Sequence, residues 1–531
     1  MGPTPSGAGV PDPAPFTGDA HPAPPGSTGA TGTTDSGHLA LIARGAGIVF
    51  TGTALSFLFR YGFQILVARS IGAELYGVFS LALSVFAVAE VTAGLGANKG
   101  VIRFVPLYQI DRDMRRARGV ISMATRLALV GGACVALLVA CGAESLGIGV
   151  FHSPALVPAL RLIAVAIPLS ALTTVAICAT QGLKLMRYQV LIRDTTEQVV
   201  RIAVVAALLS LGLELWAAAW AFVVSLAVGT MVSSVVRQRV VAPRLHGEGP
   251  PIREWRTFLG YCWPFLPTNL IAIIEMWLTT FMVGSLLSSA DVGVFSAAYR
   301  TVFLVQGILL SFNTVFSPLI SGLWHQGDRN ALAGLFKIVS AWTLVVSLPP
   351  LLLMALVPRE VMGVFGPEYR DGSDVLVMLT GGQVIMSSTG SLGVMIDMSG
   401  RSRLTLLNAV PHLCVQAAIA LVCIPRFGIA GAAYAKVAST AFLRLLQLVE
   451  VRHVLGMHPF GKAYLRPIMA GASGLVCAGL VGWVSGGWGP TIRLVVVGCV
   501  LIAAYGMCFV AQGFTAEERM LLRKARSRLG R

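Results

Sequence analysis

The chain has 531 residues, of which 55% are apolar and only 12% are charged, and its formal net charge at pH 7 is +16. About a quarter of the residues of a typical soluble domain are charged, so this composition argues against a surface that faces water throughout. A strongly basic soluble protein would suggest nucleic acid as a partner, but here the basic residues lie mostly in alternate loops between apolar segments, and we expect no nucleic-acid partner.

The chain opens with a segment rich in Pro, Gly, Ser and Thr, residues 1–38. This segment carries almost no large apolar side chain, so it cannot bury enough surface to offset the entropy lost on ordering. It also lacks the basic start and apolar centre of a signal peptide. We therefore expect a disordered cytoplasmic tail.

Apolar segments long enough to cross a bilayer follow one another from Gly45 to Gln512. A bilayer core needs about 20 apolar residues per helix, so this stretch predicts an all-α integral membrane protein of about fourteen transmembrane helices. Several segments contain internal Pro or Gly, which membrane helices tolerate where neighbouring groups satisfy the backbone. The fifth of these spans is expected at residues 196–213.

The loops predict the orientation of these spans, because Lys and Arg concentrate on the cytoplasmic side of polytopic membrane proteins. Basic loops such as residues 111–118 and 237–256 alternate with loops poor in Lys and Arg, such as residues 286–291. Together with an even number of spans, this alternation places both termini in the cytoplasm. Residues 514–531 are then expected to form a basic helix at that surface.

A sequence repeat divides the spans into two sets. Residues 77–80 read Gly-Val-Phe-Ser, and residues 293–296 repeat them at an offset of 216. Because six spans separate the copies, both point the same way, which predicts two parallel six-helix lobes related by an axis along the membrane normal. The expected segments are an N-terminal lobe at 39–240, a cytoplasmic linker at 241–256, a C-terminal lobe at 257–452 and two further spans at 453–513.

The segment VARSIGAELYGVFSLAL, residues 67–83, resembles the early segment of polysaccharide-type flippases of the multidrug/oligosaccharidyl-lipid/polysaccharide exporter superfamily. Residues 283–300, VGSLLSSADVGVFSAAYR, are similar to the corresponding segment of their second lobe. The resemblance covers roughly residues 45–512 and implies a MATE-like fold. It implies as cargo an oligosaccharide on a polyprenyl diphosphate, flipped across the bacterial plasma membrane by alternating access.

The same resemblance implies partners and shows one departure from the family pattern. The implied partners are the lipid-linked oligosaccharide, membrane lipids, and the glycosyltransferases and polymerase of a pathway for cell-surface polysaccharide, with the protein itself a monomer. Many relatives carry an acidic residue late in the seventh span, where this chain has Thr279 and Thr280. Glu275 lies one turn earlier, on the same helix face as Thr279.

Ionisable side chains inside a bilayer are costly and usually face a cavity. Arg60 in the first span and Arg300 in the eighth are the substrate-binding candidates, because a guanidinium group matches the charge and geometry of a diphosphate. The resemblance also marks Arg300 as a cationic position of the family. The alternative for each is a pair with an acid or an interfacial position, and an interfacial position is our expectation for Arg126 and Arg161.

Glu90 in the second span and Glu275 in the seventh are the acidic candidates. Each could couple transport to protons or sodium ions, or serve as a counter-ion to Arg60 or Arg300. His412 in the eleventh span is expected to be a hydrogen-bonded packing residue rather than a titrating group. No spacing of Cys and His suits a metal ion, so we expect neither metal nor cofactor.

These residues bear on three candidate functions. A lipid-linked oligosaccharide flippase agrees best with arginines in the spans, whereas an ion-coupled multidrug or small-molecule exporter of the same superfamily would need unpaired acids. A membrane glycosyltransferase or ligase would need acid and base groups on a large outer loop, and the longest such loop offers little beyond Glu360, Glu368 and Asp371. No phosphate-binding GxxxxGK[ST] loop occurs. We therefore expect no catalytic residue and no enzyme activity.

Overall fold

The computed structural model describes residues 34–513, with side chains from Phe57 onward apart from those of residues 214, 315, 318, 402 and 462. The chain divides into two compact units, residues 1–47 and 48–531, and the cavities and contacts below belong to the second. Most of the predicted tail lies outside the described residues, and helix α1 (Thr34–Gly94) begins within it. The predicted C-terminal helix, residues 514–531, lies outside them entirely.

The part of the chain that the structure describes is almost entirely helical and contains no β-strand. The first half continues with α2 (Ala97–Ile110), α3 (Met114–Cys141), α4 (Leu156–Ala164), α5 (Ala166–Gly182), α6 (Arg187–Gln189), α7 (Glu197–Ser210), α8 (Glu214–Val236) and α9 (Ala242–Arg244). The second half comprises α10 (Trp255–Cys262), α11 (Phe265–Leu286), α12 (Ser289–His325), α13 (Arg329–Leu356), α14 (Pro358–Gly363), α15 (Ser373–Thr389), α16 (Leu392–Met398), α17 (Ser402–Phe427) and α18 (Ile429–Glu450). Helices α19 (Leu465–Val484) and α20 (Pro490–Ala511) follow it.

Eleven described helices are long and apolar enough to cross a membrane, or twelve if the bent pair of α15 and α16 forms one span. The protein is thus a multi-pass membrane protein, but the predicted count of fourteen is not confirmed. Helix α1 counts once, although its backbone is non-helical at Gly72, where the positive φ of 78° favours glycine. The segment around α7 is not among the eleven, because four charged residues make it too polar: Arg193, Asp194, Glu197 and Arg201.

The helices of the first half recur in the second at a nearly constant distance along the chain. Helix α3 begins at Met114 and α13 at Arg329, which is 215 residues later. Helix α5 ends at Gly182 and α16 at Met398, which is 216 residues later. The contacts recur as well, because α3 packs on α5 as α13 packs on α15, and α5 packs on α8 as α15 packs on α18. The sequence repeat therefore corresponds to a repeat of helices and of their packing.

The two Gly-Val-Phe-Ser segments lie where the halves meet. A Cβ atom on Gly77 would lie 1.7 Å from the carbonyl oxygen of Ser289, and one on Gly293 would lie 2.0 Å from that of Ala73. Such distances leave no space for any side chain, because protein interiors are already close-packed. The repeated glycines thus allow the two halves to touch through their backbones, in nearly the same way from each side.

A loop of the second half adds polar contacts at the same end of the molecule. The carboxylate of Glu368 accepts a hydrogen bond of 3.2 Å from the backbone nitrogen of Ala73, and the hydroxyl of Tyr369 donates one of 3.2 Å to the carbonyl of Ala68. The Tyr369 ring also meets the ring of Tyr76 edge-on, with 6.1 Å between centroids. Backbone and side-chain contacts together hold the halves against each other at this end.

Candidate functional site

A cavity of about 410 Å³, here called the central cavity, lies between the two halves. Helices α1, α7 and α8 line it from the first half, and α11 and α12 line it from the second. Three of the four predicted site residues, Arg60, Glu90 and Arg300, face this cavity. Glu275, the fourth, lines a separate cavity within the second half.

Arg300 stands in the central cavity without an acidic partner. No ion pair among the described residues includes it, and its Nη2 atom is buried with no hydrogen-bond partner there. Its guanidinium carbon lies 5.7 Å from the centroid of the Trp277 ring, within range of a cation–π interaction. In the same described set, Nε1 of Trp277 and Oγ of Ser296 are also unpartnered and line this cavity. Three residues that line this cavity therefore carry a hydrogen-bonding group that is unpaired in the described part of the chain.

Arg60, in contrast, is paired with an acid. Its Nη2 atom lies 3.2 Å from Oδ1 of Asp194. Glu90 accepts hydrogen bonds from Nη2 of Arg193 at 3.2 Å and from the hydroxyl of Ser170 at 2.5 Å. The sequence offered Glu90 as a counter-ion to Arg60, and the structure pairs it with Arg193 instead.

Two further charges belong to the same region of the first half. Arg201 donates a 3.1 Å hydrogen bond to the hydroxyl of Ser225, and its guanidinium lies 4.8 Å from the centroid of the Phe222 ring. Glu197 is buried one helical turn before Arg201. Three positive and three negative charges therefore balance in what we call the first-half network. Its members are Arg60, Glu90, Arg193, Asp194, Glu197 and Arg201.

The second-half cavity, of about 220 Å³, contains the remaining predicted residue. Nζ of Lys436 donates a 2.7 Å hydrogen bond to Oε1 of Glu275, and Nδ1 of His412 lies 3.9 Å from the same oxygen. Lys436 rather than Arg300 is thus the counter-ion of Glu275. Arg444 lines this cavity too, and its Nη1 atom donates a 3.1 Å hydrogen bond to Gln447.

Thr279 and Thr280 occupy the positions where the family resemblance implies an acid, and both are buried. The hydroxyl of Thr279 accepts a 2.8 Å hydrogen bond from Nε2 of Gln416, while Thr280 lines the central cavity. Gln416 also donates to the backbone carbonyl of Glu275 at 3.3 Å. At the position where the family resemblance implies an acid, this chain therefore has threonines, and Thr279 forms a neutral hydrogen bond. The carboxylate of Glu275, one helical turn earlier, binds Lys436 instead.

Arg126 and Arg161 lie away from both cavities. Arg126 is exposed, and Arg161 forms a 2.7 Å ion pair with Glu144 in which both partners are exposed. The interfacial location expected for the two arginines stays a prediction.

Sequence reasoning missed the charges on α18 and those leading into α7. It began the fifth span at residue 196 and so assigned Arg193 to a cytoplasmic loop, whereas the chain is helical from Arg187 through a π-helical segment, Val190–Thr196, into α7. The spacing of the charges was an available signal, because residues four apart share a helix face. Arg193, Glu197 and Arg201 follow one another at intervals of four, and Lys436 and Arg444 are eight apart.

Solved transporter structures share this fold. The lipid II flippase MurJ, in an inward closed conformation, matches with a TM-score of 0.69 and 16% identity, covering 87% of this chain and 98% of that one. An inward-facing multidrug resistance MATE family transporter of the MOP superfamily matches with a TM-score of 0.63 and 16% identity, covering 76% of this chain and 94% of that one. The predicted all-α, MATE-like fold class is confirmed.

Relatives identified by sequence lead to the family. An uncharacterized membrane protein of Methanocaldococcus jannaschii is 24% identical over 184 residues, which are 34% of this chain and 36% of that protein. The probable low-salt glycan biosynthesis flippase Agl15 of Haloferax volcanii is 21% identical over 193 residues, which are 36% of this chain and 41% of that protein. The chain thus spans well under half the length of these curated relatives. The polysaccharide biosynthesis protein family itself matches residues 42–324, or 283 of the 531 residues, so the resemblance to polysaccharide-type flippases is confirmed and the chain belongs to this family.

Proposed function

We propose that the protein flips a polyprenyl-diphosphate-linked oligosaccharide across the bacterial plasma membrane by alternating access, for the synthesis of a cell-surface polysaccharide. The observation that carries the proposal is the guanidinium of Arg300, which faces the central cavity with no acid paired to it among the described residues. A diphosphate offers oxygens that a guanidinium can bind bidentately. The unpartnered donors of Trp277 and Ser296 on the same wall can bind further oxygens of that group.

The charge balance around the central cavity supports an anionic cargo. The first-half network is neutral, so Arg300 leaves this cavity with one surplus positive charge. Water is replaced there by protein walls of lower dielectric constant, and an unbalanced charge attracts its opposite more strongly than it would in bulk solvent. A diphosphate head group would supply the missing negative charge.

An exporter of cationic drugs agrees less well with this arrangement. Such a cargo needs a carboxylate that is free to bind it, and Glu90 of the central cavity already lies 3.2 Å from Arg193. Two acids of the outer loop are also engaged, because Glu360 pairs with Arg493 and Glu368 binds the backbone nitrogen of Ala73. This engagement likewise argues against a glycosyltransferase or ligase that would use those acids.

The proposal extends to the orientation of the molecule. Both termini would lie in the cytoplasm, and residues 39–240 and 257–452 would rock as two lobes joined by the linker 241–256, with residues 453–513 as an appendage. The contact around Gly77 and Gly293 would then be the extracytoplasmic seal. One chain supplies both lobes, so a monomer suffices, and glycosyltransferases and a polymerase would supply and consume the cargo.

Energy for transport would come from an ion gradient through the two partly buried acids of the cavities. Glu90 is bound to Arg193 and Glu275 to Lys436. Protonation of either carboxylate would remove the charge that holds its basic partner in place. We propose this release as the coupling step, since it would change the contacts between helices within a lobe.

The test measures how fast the wild type, Arg300→Ala and Arg300→Lys flip a polyprenyl-diphosphate sugar in reconstituted vesicles. We expect Arg300→Ala to lose most of the flipping and Arg300→Lys to recover part of it, because lysine keeps the charge but lacks the planar fork. Arg161→Ala is the matched control, since it removes an arginine whose ion pair is exposed. Full activity of Arg300→Ala, or a loss explained entirely by lower membrane abundance and thermal stability, would refute cargo binding by Arg300.

A further inference from the structure

The second-half cavity presents polar nitrogen atoms that nothing in the described structure satisfies. Arg444 and Gln383 are only 9% and 6% exposed, yet Nε of Arg444 and Nε2 of Gln383 have no hydrogen-bond partner among the described residues. Nε2 of His412, a side chain that is 5% exposed, is unpartnered in the same sense. All three side chains line the one cavity of about 220 Å³.

The same cavity carries a surplus of positive charge. Lys436 and Arg444 are cationic, and Glu275 is the acid that lines the cavity with them. The 2.7 Å contact between Lys436 and Glu275 neutralises that pair, which leaves Arg444 uncompensated. A buried cation without a partner is strongly unfavourable. The arrangement therefore favours an anion against Arg444.

The fold alone does not require these charges. At the repeat offset of 216 residues, the first-half positions corresponding to Lys436 and Arg444 are Trp220 and Val228. Helix α8 thus makes the packing contacts that α18 makes, but with apolar side chains at both positions. The two cations are therefore specific to the second half, and helix packing does not account for them.

The second-half cavity also adjoins the central cavity. Met276, Tyr299 and Phe303 line both of them, so the two spaces share one wall. Tyr299 is followed in the chain by Arg300, the residue proposed to bind the diphosphate. A cargo anchored at Arg300 would therefore have its sugars close to the entrance of the second-half cavity, which is large enough for one sugar residue but not for an oligosaccharide.

We propose that the second-half cavity is an oxyanion-binding site for the carboxylate of an acidic sugar, with Arg444 supplying the charge and Gln383 a neutral donor. The assignment of that carboxylate to the cargo rests on the proposed function, whereas the site itself does not. The protein would then select lipid-linked glycans that carry a uronic acid or a related acidic sugar. The diphosphate common to all such cargoes would be bound elsewhere, at Arg300.

Binding is tested first on the purified full chain, with thermal stability as the readout and glucuronate, glucose, phosphate and chloride as probes. We expect glucuronate to stabilise the protein and glucose not to, and Arg444→Gln to weaken glucuronate binding by about tenfold, the typical effect of losing a charge-assisted hydrogen bond. Gln383→Leu, which keeps every charge, should weaken it less. Arg161→Gln is the matched control, since it removes an arginine that lines neither cavity, and it should leave glucuronate binding unchanged.

Several results would overturn the inference. The site does not exist if glucuronate fails to stabilise the wild type, or if it stabilises the wild type, Arg444→Gln and Gln383→Leu equally. Should Arg444→Gln fail to fold, Gln383→Leu still decides the question. Stabilisation by phosphate or chloride without a preference for glucuronate would show a site for free inorganic anions and would overturn the assignment to an acidic sugar.

Flipping then separates this inference from the proposed function. In reconstituted vesicles, Arg444→Gln should slow the flipping of a polyprenyl-diphosphate glycan that contains a uronic acid and leave a neutral glycan unaffected, whereas Arg300→Ala should slow both. Equal slowing of both glycans by Arg444→Gln would overturn the selectivity. If the wild type flips neither glycan, the proposed function fails, and the binding measurements still decide whether the anion site exists.

Discussion

The two halves of the molecule share their helices and differ in their charges. Four charges lie on the segment that leads into and through α7: Arg193, Asp194, Glu197 and Arg201. At the repeat offset of 216, α17 carries apolar residues at all four positions: Ala409, Val410, Leu413 and Ala417. The second half instead carries two cations, Lys436 and Arg444, one helix later, on α18, where the first half has Trp220 and Val228.

This difference separates what packing requires from what a ligand requires. Helix bounds and helix contacts are retained across the repeat because both halves must bury similar faces against similar neighbours. Charged side chains inside a membrane are costly, so they are placed where they pair or where a ligand pairs with them. The first half balances its charges internally, whereas Arg300 and Arg444 of the second half remain unbalanced among the described residues. A cargo that carries a diphosphate for Arg300 and a second anionic group for Arg444 would account for this asymmetry.

Substituting the glycines where the halves touch should have the largest effect on function. In Gly77→Ala or Gly293→Ala, the new Cβ would fall 1.7 or 2.0 Å from an opposing carbonyl oxygen, so the backbones must separate. We expect both variants to lose essentially all flipping, and to about the same degree, since the contact is nearly symmetrical. The measurement is flipping per folded protein in vesicles.

Gly62→Ala is the matched control for the two glycine variants, because a Cβ on this α1 residue meets nothing within 4 Å. It should retain activity. If Gly77→Ala and Gly293→Ala both flip cargo at the wild-type rate, the contact between the repeated segments has no role in transport.

Breaking the ion pair of the second half should have the next largest effect, this time on stability. Glu275→Gln leaves Lys436 buried without its partner, which we expect to lower the free energy of unfolding by about 2 kcal/mol, less than for a fully buried pair because the Glu275 side chain is 27% exposed. The double variant Glu275→Gln with Lys436→Met leaves no unpaired charge at this pair, so it should recover most of the lost free energy of unfolding.

The exposed pair of Arg161 and Glu144 provides the comparison for this stability measurement. Glu144→Gln should cost less than about 1 kcal/mol, because solvent screens both partners. Thermal or denaturant unfolding in detergent distinguishes the two pairs. Equal losses from Glu275→Gln and Glu144→Gln would mean that the buried position of the first pair has no energetic consequence.

Much of the fold follows from the sequence because the bilayer itself imposes strong rules. Apolar segments must become helices there, and the repeat around Gly77 and Gly293 predicted both the two halves and the place where they resemble each other. The predicted count of fourteen spans is not confirmed, for two local reasons: α1 counts once although a kink at Gly72 separates two expected spans within it, and the charges near α7 reduce the apolar character of that segment.

The site was less predictable than the fold. Arg60, Glu90 and Arg300 face the central cavity that the sequence implied, but their partners were not foreseen. A partner on another helix is set by tertiary packing, and nothing in the segments around Glu90 or Glu275 points to Arg193 or Lys436. The helical spacing of charges could have shown a polar face on α7 and on α18 without showing which residue that face meets.

Placing the negative charge of Glu90 at the corresponding position of the second half should have a smaller effect, and one confined to ligand binding. Glu90 of the first half corresponds at the repeat offset to Gln306, which lines the second-half cavity. Gln306→Glu would neutralise the surplus charge there, so we expect glucuronate binding to weaken by about tenfold, or about 1.4 kcal/mol, while stability is kept. Gln306→Met is the isosteric control and should bind as the wild type does. Unchanged binding in Gln306→Glu would show that the surplus charge does not attract the ligand.

The smallest expected effect concerns the hydroxyl of Tyr369 at the end where the halves meet. It donates a 3.2 Å hydrogen bond to the carbonyl of Ala68, and Tyr369→Phe removes this bond while keeping the ring against Tyr76. A buried hydrogen bond contributes about 1 kcal/mol, so the closed contact should weaken by that amount. If this contact must open during each cycle, Tyr369→Phe should leave flipping intact or raise it slightly, unlike the glycine variants, which prevent closure. A fluorescence distance between probes on the two halves would report the shift toward separation. A loss of flipping as complete as in Gly77→Ala would contradict this account, because one hydrogen bond is too weak to hold the halves together.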